Sequence, residues 1–384
     1  MERTELAAWL RLTLTPGVGS ATARKLLAAF ALPHAVLEQS SVALAQIISK
    51  AQRTALRQEP PELAALLERT WAWLQEGGPG AARRQIVVLG DAQYPASLLR
   101  IDDPPLLLYL SGAGCLEDSL LQSIAVVGSR NPTPQGLSNA RQFSKALAQA
   151  GLTVVSGLAW GIDGAAHEGA LDSLEPDSRR SVTLAVVGTG LDRVYPKRHL
   201  ALAHRIAHNG LLVSEYPLGT PPLIANFPRR NRLIAGLAQG TLVIEAALKS
   251  GSLITARLSA EQGKDVFAIP GSIHSPLSRG CHALIKQGAK LVESAQDILE
   301  EFQLGEATSA VNALTRAVAQ PAGAKPAASE VALLEFLGFD PVGLDALQAR
   351  CGLDTASLQA QLMALELDGL VSRLPGGLFQ RFKP

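Results

Sequence analysis

The sequence predicts an α/β protein: a Rossmann-like, doubly wound, mostly parallel sheet, preceded by an all-helical domain and followed by a winged-helix domain. Three observations support this prediction. Residues 1–80 show helical periodicity as far as about residue 76, and within 81–304 short apolar runs alternate with helical stretches, the pattern of parallel strands joined by crossover helices. Residues 329–384 show two short helices, a longer helix and a final hairpin, which is the element order of a winged helix.

The first domain is predicted from the spacing of Leu and Ala, with breaks at Pro16-Gly17, Pro33 and Pro60-Pro61. The segment from Leu14 to Lys25, with Gly17 and Gly19 in its turn, resembles a helix–hairpin–helix within a SAM-like domain. The N–H groups of such a turn could face a phosphate, with Arg24 and Lys25 behind them. A helical packing module without a ligand fits the same residues equally well. Gly77-Gly-Pro-Gly80 has the composition of a linker.

The central domain contains eight predicted strands. A helix is predicted over 134–150, ended by Gly151, because glycine is common just past a helix C-terminus. The predicted strands are 86–89, 124–127, 153–155, 184–187, 211–213, 242–244, 266–269 and 290–292.

The last 80 residues divide into a predicted flexible linker, 305–328, rich in Ala, Thr, Pro and Gly, and the winged helix. Winged helices often contact DNA through their third helix. Here that helix, 355–367, contains no Lys or Arg, and from Ser329 onward four Lys/Arg face seven Asp/Glu, a net charge of −3. An acidic surface suits a phosphate backbone poorly, so a protein-contact role is favoured for this domain.

Composition excludes several classes of protein. The chain has 384 residues, 47% of them hydrophobic, and a net charge of +1, which describes a globular protein with no overall bias towards polyanions. Its three cysteines show no C-x-x-C spacing, so a structural zinc site or a disulfide framework is not expected, and a reducing cytoplasm fits. We expect neither a signal peptide nor a membrane span.

No cofactor or metal is expected either. Gly188-Thr-Gly190 resembles the start of a dinucleotide fingerprint, but Arg193 stands where the third glycine would be, and no G-K-[ST] of a P-loop occurs. His274 and His282 lack a third ligand at any usual spacing.

The candidate site follows from the rule that open parallel sheets bind ligands beyond the carboxyl ends of their strands. Small residues there let backbone N–H groups approach an anion, and a stackable ring beside cations suits phosphates and unpaired bases. Between Phe227 and Lys264 six Lys/Arg face two Glu, a local net charge of +4. The predicted nucleic-acid-binding residues are Gly128, Ser129, Arg130, Ser156, Gly157, Gly161, Lys197, Phe227, Arg230, Asn231, Arg232, Ser250, Gly251, Ser252, Thr255 and Lys264.

Five neighbouring residues favour structural roles or leave the choice open. Asp163 should cap its helix or brace its loop, and His167 should pack rather than catalyse. Glu215 and Glu245 could form salt bridges with the Arg cluster. Trp160 could face a base or fill the core, and the sequence does not separate these two.

Six motifs stand in the central domain: Val127-Gly-Ser-Arg130, Ser156-Gly-Leu-Ala-Trp-Gly-Ile-Asp163, Tyr195-Pro196, Phe227-Pro-Arg-Arg-Asn-Arg-Leu-Ile-Ala-Gly236, Ser250-Gly-Ser-Leu-Ile-Thr-Ala256 and Val266-Phe-Ala-Ile-Pro-Gly271. In order and spacing they closely resemble one family, the DNA-processing proteins DprA or Smf. The resemblance covers about residues 85–300. It implies a homodimer without enzymatic activity that binds and protects single-stranded DNA (ssDNA) during natural transformation and loads the RecA recombinase onto it.

Two positions depart from the family pattern: His282 stands where Asn is usual, and Lys264 replaces an Arg. The alternative function is a nucleotide-processing enzyme or nucleotide sensor of the LOG class, which shares the fold. Counting from Thr255, however, its catalytic Glu would fall on Leu258, which cannot act as an acid or base. A winged-helix transcription regulator is opposed by the acidic tail.

Overall fold

A computed structural model describes residues 1–76, 82–175, 180–303, 333–334, 336–338, 340–374 and 376–381. The predicted linkers at 77–80 and 305–328 lie outside these residues.

The helical domain contains six helices, separated near the predicted breaks. Gly17, between the first two helices, has a φ of 77°, a conformation that glycine adopts without strain. The helices are α1 Arg3–Leu14, α2 Ser20–Phe30, α3 Pro33–Glu38, α4 Ser41–Ala45, α5 Lys50–Arg57 and α6 Leu63–Gln75.

Among the described residues, the central sheet has nine strands in the order β1-β2-β6-β5-β4-β3-β7-β8-β9. All pairings are parallel except β1 with β2 and β2 with β6, which confirms the mostly parallel sheet. The strands are β1 Arg83–Val88, β2 Leu107–Gly112, β3 Ser123–Val127, β4 Thr153–Ser156, β5 Thr183–Val186, β6 Gly210–Ser214, β7 Gly240–Val243, β8 Asp265–Ala268 and β9 Lys290–Leu291.

Strand β2 is absent from the strands predicted from the sequence. It pairs antiparallel with β1, from Val88 opposite Leu107 to Arg83 opposite Gly112. It also pairs antiparallel with β6, so it joins the β1 edge to the parallel strands.

Helices cover both faces of the sheet, as a doubly wound fold requires. One hydrophobic core lies under α8, α9, α10 and α14, and the other under α7, α11, α12 and α13. Helix α8 begins after Thr133, whose side chain accepts a hydrogen bond from the Gly136 N–H, and ends just before Gly151, which has a φ of 112°. The helices are α7 Leu116–Leu121, α8 Pro134–Gln149, α9 Ile162–Leu171, α10 Leu200–Asn209, α11 Asn226–Leu237, α12 Ser252–Glu261, α13 Arg279–Lys286 and α14 Ala295–Glu301, with 3₁₀ turns at Ala96–Arg100 and Lys197–His199.

A third core joins the helical domain to the β1–β2 hairpin. Ile86, Val88 and Tyr109 pack with buried residues of α1, α2 and α6, and Tyr109 meets Trp73 edge to face with ring centroids 6.2 Å apart. Arg24, considered above as a phosphate contact, instead donates to Asp103 and to the Pro104 carbonyl. It therefore ties the helical domain to the loop between β1 and β2.

The last domain is a winged helix with a three-stranded sheet in the order β10-β12-β11. Two of its arginines are held by backbone carbonyls: Arg350 donates to Phe336 and Arg381 to Leu334. The elements are β10 Val342–Gly343, α15 Leu344–Cys351, α16 Thr355–Leu367, β11 Val371–Leu374 and β12 Leu378–Arg381. In the described parts of the chain, none of the helices combines the length and apolar character needed to cross a bilayer.

Candidate nucleic-acid interface

A cleft of about 600 Å³ lies beyond the carboxyl ends of the parallel strands. The loops after β3 and before α12 form its walls, and the start of α11 forms its floor. Ten of the predicted residues line it: Gly128, Ser129, Arg130, Phe227, Arg230, Asn231, Ser250, Gly251, Ser252 and Thr255. A smaller cavity of about 130 Å³ adjoins it, lined by Arg130, Gly157, Trp160, Tyr195, Arg198 and Phe227 among others.

The wall after β3 is held by Glu245. The Ser129 N–H donates to the Glu245 carbonyl at 2.8 Å, and the Thr133 N–H and hydroxyl donate to the Glu245 carboxylate at 2.9 and 2.5 Å. Burial raises the pKa of Glu245, while the two Thr133 bonds act in the opposite direction. Glu245 therefore braces this loop and does not pair with the Arg cluster.

The loop after β4 is fixed by its own backbone. Gly161 has a φ of 90°, and a Cβ there would stand 2.4 Å from the Ser129 carbonyl oxygen. Asp163 accepts a hydrogen bond from the Ala159 N–H at 3.3 Å, and burial raises the pKa of its carboxyl group. This confirms the loop-bracing role expected of Asp163. The Ser156 hydroxyl is fully buried and donates to the Val126 carbonyl at 2.7 Å, so it supports the sheet and does not reach the cleft.

Arg230 is a buried part of the cleft floor. Its residue is 3% exposed, and its guanidinium donates to the carbonyls of Gly157 and Val186. A Cβ at position 157 would lie 2.2 Å from Nη2 of Arg230, so only glycine admits this side chain. Burial lowers the pKa of Arg230, whereas Asp163, 3.9 Å away, favours its charged form. Arg230 is expected to contribute positive potential from below the surface.

The structure does not place Arg232 in the cleft. Its guanidinium pairs with Glu215 and lies 3.6 Å from Asp103, and its side chain is 12% exposed. Arg229 also donates to Asp103, at 3.2 Å. Burial alone would raise the pKa of Asp103, but the hydrogen bond from Arg24 and the charges of Arg232, Arg24 and Arg229 lower it. This part of the Arg cluster is therefore neutralised by acids from distant segments.

Lys264 also lies outside the cleft. Its Nζ donates to the carbonyls of Ala235 and Gly236, at 2.6 and 2.9 Å. These carbonyls lie in the last turn of α11, where the helix offers them no backbone N–H donor. Burial lowers the pKa of Lys264 to about 8. The side chain caps a helix, which explains why a basic residue stands there.

The exposed cations are a different set from the one the sequence suggested. Arg130 and Lys197 are exposed as predicted. Arg198 and Lys249 are also exposed and line the small cavity and the cleft, respectively. Both were missing from the predicted set, although Arg198 directly follows Lys197 and Lys249 directly precedes Ser250.

Three aromatic rings surround the small cavity. Phe227 is half-buried, and its ring centroid lies 5.5 Å from that of Tyr195. The Arg130 guanidinium lies over the Phe227 ring, with its Cζ 5.5 Å from the ring centroid. Tyr195 is 48% exposed and Trp160 44%, which answers the question left open for Trp160: it does not fill the core.

The far wall of the cleft is the start of α12. The Ser250 and Ser252 hydroxyls lie 2.7 Å apart, and the Asn231 amide donates to the Gly251 carbonyl at 3.2 Å. Thr255 is buried beneath them. The N-terminus of this ten-residue helix carries partial positive charge, so small polar groups and a helix dipole face Arg130 across the cleft.

Two histidines have structural contacts. His282 places its Nε2 3.0 Å from the Gly271 carbonyl, bracing the loop after β8. The Thr183 hydroxyl donates to the Val154 carbonyl, so His167 must donate to it from Nδ1, at 2.7 Å. His167 Nε2 is then a buried acceptor without a partner, and burial lowers the pKa of His167 to about 3. The expected packing role of His167 agrees with these contacts. Within the described residues, no three His, Cys, Asp or Glu side chains could hold a metal ion.

Comparison with known proteins gives the same family as the motifs. Residues 85–303 match the family model for DNA recombination-mediator protein A, and residues 317–377 match the DprA winged helix domain. Protein Smf of Escherichia coli K12 is 41% identical over 314 residues, which cover 81% of this chain and 80% of the relative.

Two solved structures share the fold. The X-ray structure of DNA processing protein A from Streptococcus pneumoniae is 36% identical with a TM-score of 0.64, covering 78% of this chain and 98% of that one. A structure of DNA processing protein A from Helicobacter pylori, described in terms of its ssDNA-binding mode, is 31% identical with a TM-score of 0.50. It covers 57% of this chain and 96% of that one. The chain therefore belongs to the DNA recombination-mediator protein A family, whose members are named DprA or Smf.

Proposed function

We propose that this chain binds ssDNA in the cleft without catalysing a reaction on it, protects the strand, and loads the RecA recombinase during natural transformation. The observation that carries the DNA-binding part is the group of Phe227, Tyr195 and Arg130 at the carboxyl edge of the sheet. Partly exposed rings can stack on any base, and the guanidinium beside them can meet a phosphate. Family membership supports the RecA and transformation parts, and a cytoplasmic location belongs to the same proposal.

Single strands should be preferred over duplexes because the rings lie inside a cleft. A base reaches Phe227 only if it is unpaired, since bases within a duplex are already stacked and paired. Helix α11 at the cleft carries three arginines, but Arg230 is buried and Arg229 and Arg232 pair with acids. Helix α16 has no Lys or Arg, so neither helix is suited to reading the major groove. Little base specificity is expected because every base has a stackable face.

The test is fluorescence anisotropy with a labelled oligo-dT, a blunt duplex of equal length and free nucleotides. The Phe227→Ala protein should lose about 1–3 kcal/mol of ssDNA binding and keep its salt dependence. Phe227→Trp, which keeps a ring, is the matched control and should bind like the parent. Equal affinity for the duplex would contradict the proposal, and so would unchanged ssDNA binding by a Phe227→Ala protein with the parental melting temperature.

We also propose a homodimer formed at the β9 edge of the sheet. Strand β9 pairs only with β8 among the described strands, and Leu291 on it is 46% exposed. Ile285, on the neighbouring α13, is partly buried against the core. An apolar side chain beside unpaired backbone groups suits strand pairing with a second copy. Light scattering should show a dimer that Leu291→Lys dissociates; a monomeric parent would contradict this.

RecA loading is tested by the lag before RecA hydrolyses ATP on ssDNA coated with a single-strand-binding protein. The intact protein should shorten the lag, and Phe227→Ala should not. If the intact protein binds ssDNA tightly but leaves the lag unchanged, RecA loading is refuted and ssDNA binding still stands.

The nucleotide-enzyme alternative has one observation in its favour. Among the described residues lining the cleft, Asp163 is the one carboxylate, and burial raises its pKa, as in many general acids. It is, however, held by Ala159 and Arg230. The test is chromatography of nucleoside monophosphates after incubation with the protein. Cleavage that the Asp163→Asn variant abolishes would support the enzyme, and intact nucleotides would contradict it.

A further inference from the structure

Trp160 stands at the tip of a loop whose backbone is closely constrained. Leu158 has a φ of 57° and Gly161 a φ of 90°, and a left-handed conformation at a leucine persists only where surrounding contacts impose it. The Ile162 N–H donates to the Ser129 carbonyl at 3.1 Å. The indole is therefore presented to solvent, 44% exposed, from a backbone with little freedom to move.

The indole is also supported by two side chains of the neighbouring 3₁₀ turn. The Cζ of Arg198 lies 3.8 Å from the centroid of the Trp160 ring system, and the His199 ring centroid lies 5.5 Å away. His199 is 7% exposed and donates from Nδ1 to the Leu158 carbonyl at 3.0 Å. Since the carbonyl has no proton to give, this bond fixes the orientation of the imidazole beside the indole. A large aromatic ring supported in this way is preorganised for stacking.

Trp160 separates two spaces. On one side lies the small cavity with Phe227 and Tyr195. On the other lies a groove of about 680 Å³ between the starts of α8 and α9, lined by Asn131, Leu137 and Ser138 among others. The charged side chains of that groove, Arg141 and Glu168, pair with each other. The rest of the lining is mostly apolar, with the Asn131 amide and the Ser138 hydroxyl among its polar groups, which suits bases better than phosphates.

We propose that Trp160 is a second base-stacking platform that extends the ssDNA site beyond Phe227, over the 158–161 loop and into the groove between α8 and α9. The unpaired base next along the strand stacks on the exposed part of the indole. Arg198 meets the phosphate between the two platforms, because it lines the cavity that they share. This inference rests on the proposed function and deepens it, since it adds a subsite and a minimum strand length.

The first test is a length series of oligo-dT with the parent, Trp160→Ala, Trp160→Phe and Phe227→Ala. An oligomer long enough to cross the loop should bind Trp160→Ala about tenfold more weakly, within the range known for loss of one stacked base. Thymidine monophosphate, which can occupy only one platform at a time, should bind it within about twofold of the parent. Trp160→Phe should restore most of the loss, whereas Phe227→Ala should weaken binding at every length.

The second test uses tryptophan fluorescence. The chain has four tryptophans; Trp9 and Trp73 are 1% and 6% exposed, and Trp71→Phe removes the remaining one besides Trp160. Long oligo-dT should quench this protein strongly and thymidine monophosphate weakly. The Trp71→Phe/Trp160→Phe protein should bind without quenching.

The outcomes separate the two proposals. If no ssDNA of any length binds, the proposed function is wrong. If Phe227-dependent binding persists while Trp160→Ala matches the parent at all lengths and no quenching occurs, the second platform alone is refuted. A Trp160→Ala loss that is equal for thymidine monophosphate and the long oligomer also refutes it.

Discussion

Replacing Arg130 or Arg232 by Ala removes the same charge, but only the first change should alter the salt dependence of ssDNA binding. Four cationic side chains are exposed at or beside the cleft: Arg130, Lys197, Arg198 and Lys249. Each phosphate contact on a single strand contributes a slope of about −0.7 in log K against log salt. Four contacts give a slope of about −2.8, so raising salt from about 50 to 200 mM should weaken binding about 50-fold.

The Arg130→Ala protein keeps three of these contacts. Its salt slope should become shallower, at about −2.1, and the same change in salt should weaken binding only about 20-fold. Arg232→Ala should keep the parental slope because its guanidinium already pairs with Glu215 and Asp103. Removing Arg232 instead leaves Glu215, whose side chain is 8% exposed, as a buried carboxylate without its partner. This should cost about 3–5 kcal/mol of stability.

The assay is anisotropy at five salt concentrations, with melting curves for each protein. Because Arg232→Ala could unfold, the neutral pair Arg232→Gln/Glu215→Gln is tested alongside it. A folded Arg232 variant whose salt slope becomes shallower by about 0.7 would contradict this assignment. An Arg130→Ala protein with the parental slope would contradict it as well.

Two further predictions concern acid stability and the tail. Burial lowers the pKa of His167 from 6.5 to about 3, so between these values the unfolded chain binds a proton that the folded one excludes, and stability falls as pH drops below about 6.5. Over the two pH units down to about 4.5, the free energy of unfolding should fall by about 3 kcal/mol. Urea titrations should show that His167→Asn loses correspondingly less stability than the parent between pH 7.5 and 4.5. Identical losses of stability would contradict the assignment. Cutting the chain after Leu304 removes a net acidic segment and none of the cleft residues, so ssDNA titrations at low salt should give equal or slightly tighter binding. A tenfold loss with an unchanged melting transition would show that the winged helix takes part in DNA binding.

The fold was largely predictable because its signals are local. Apolar runs, glycine stops and helical spacing lie within a few residues of one another. Strand β2 was missed because it is a short apolar run beside Pro104-Pro105, and its identity as a strand depends on β1 and on β6, about a hundred residues further along the chain.

The site was predictable in position but not in every side chain. The local charge of +4 was counted between Phe227 and Lys264, yet the acids that neutralise Arg229 and Arg232 come from Asp103 and Glu215, outside that window. Lys264 donates hydrogen bonds to two carbonyls at the end of α11 and does not reach the cleft. No local pattern records either arrangement, because both depend on which segments fold against each other.

The hairpin β1–β2 has one face in each of two cores. Ile86 and Tyr109 pack with the helical domain, whereas Val87 and Leu108 pack with the sheet's helices. The helices at the start of the chain and the sheet that follows therefore form one cooperative unit, whatever boundary the sequence suggests between them. A fragment starting at residue 85, where the family match begins, would lose β1 residues and expose an apolar face to water, while the longer chain should unfold across this junction in a single transition.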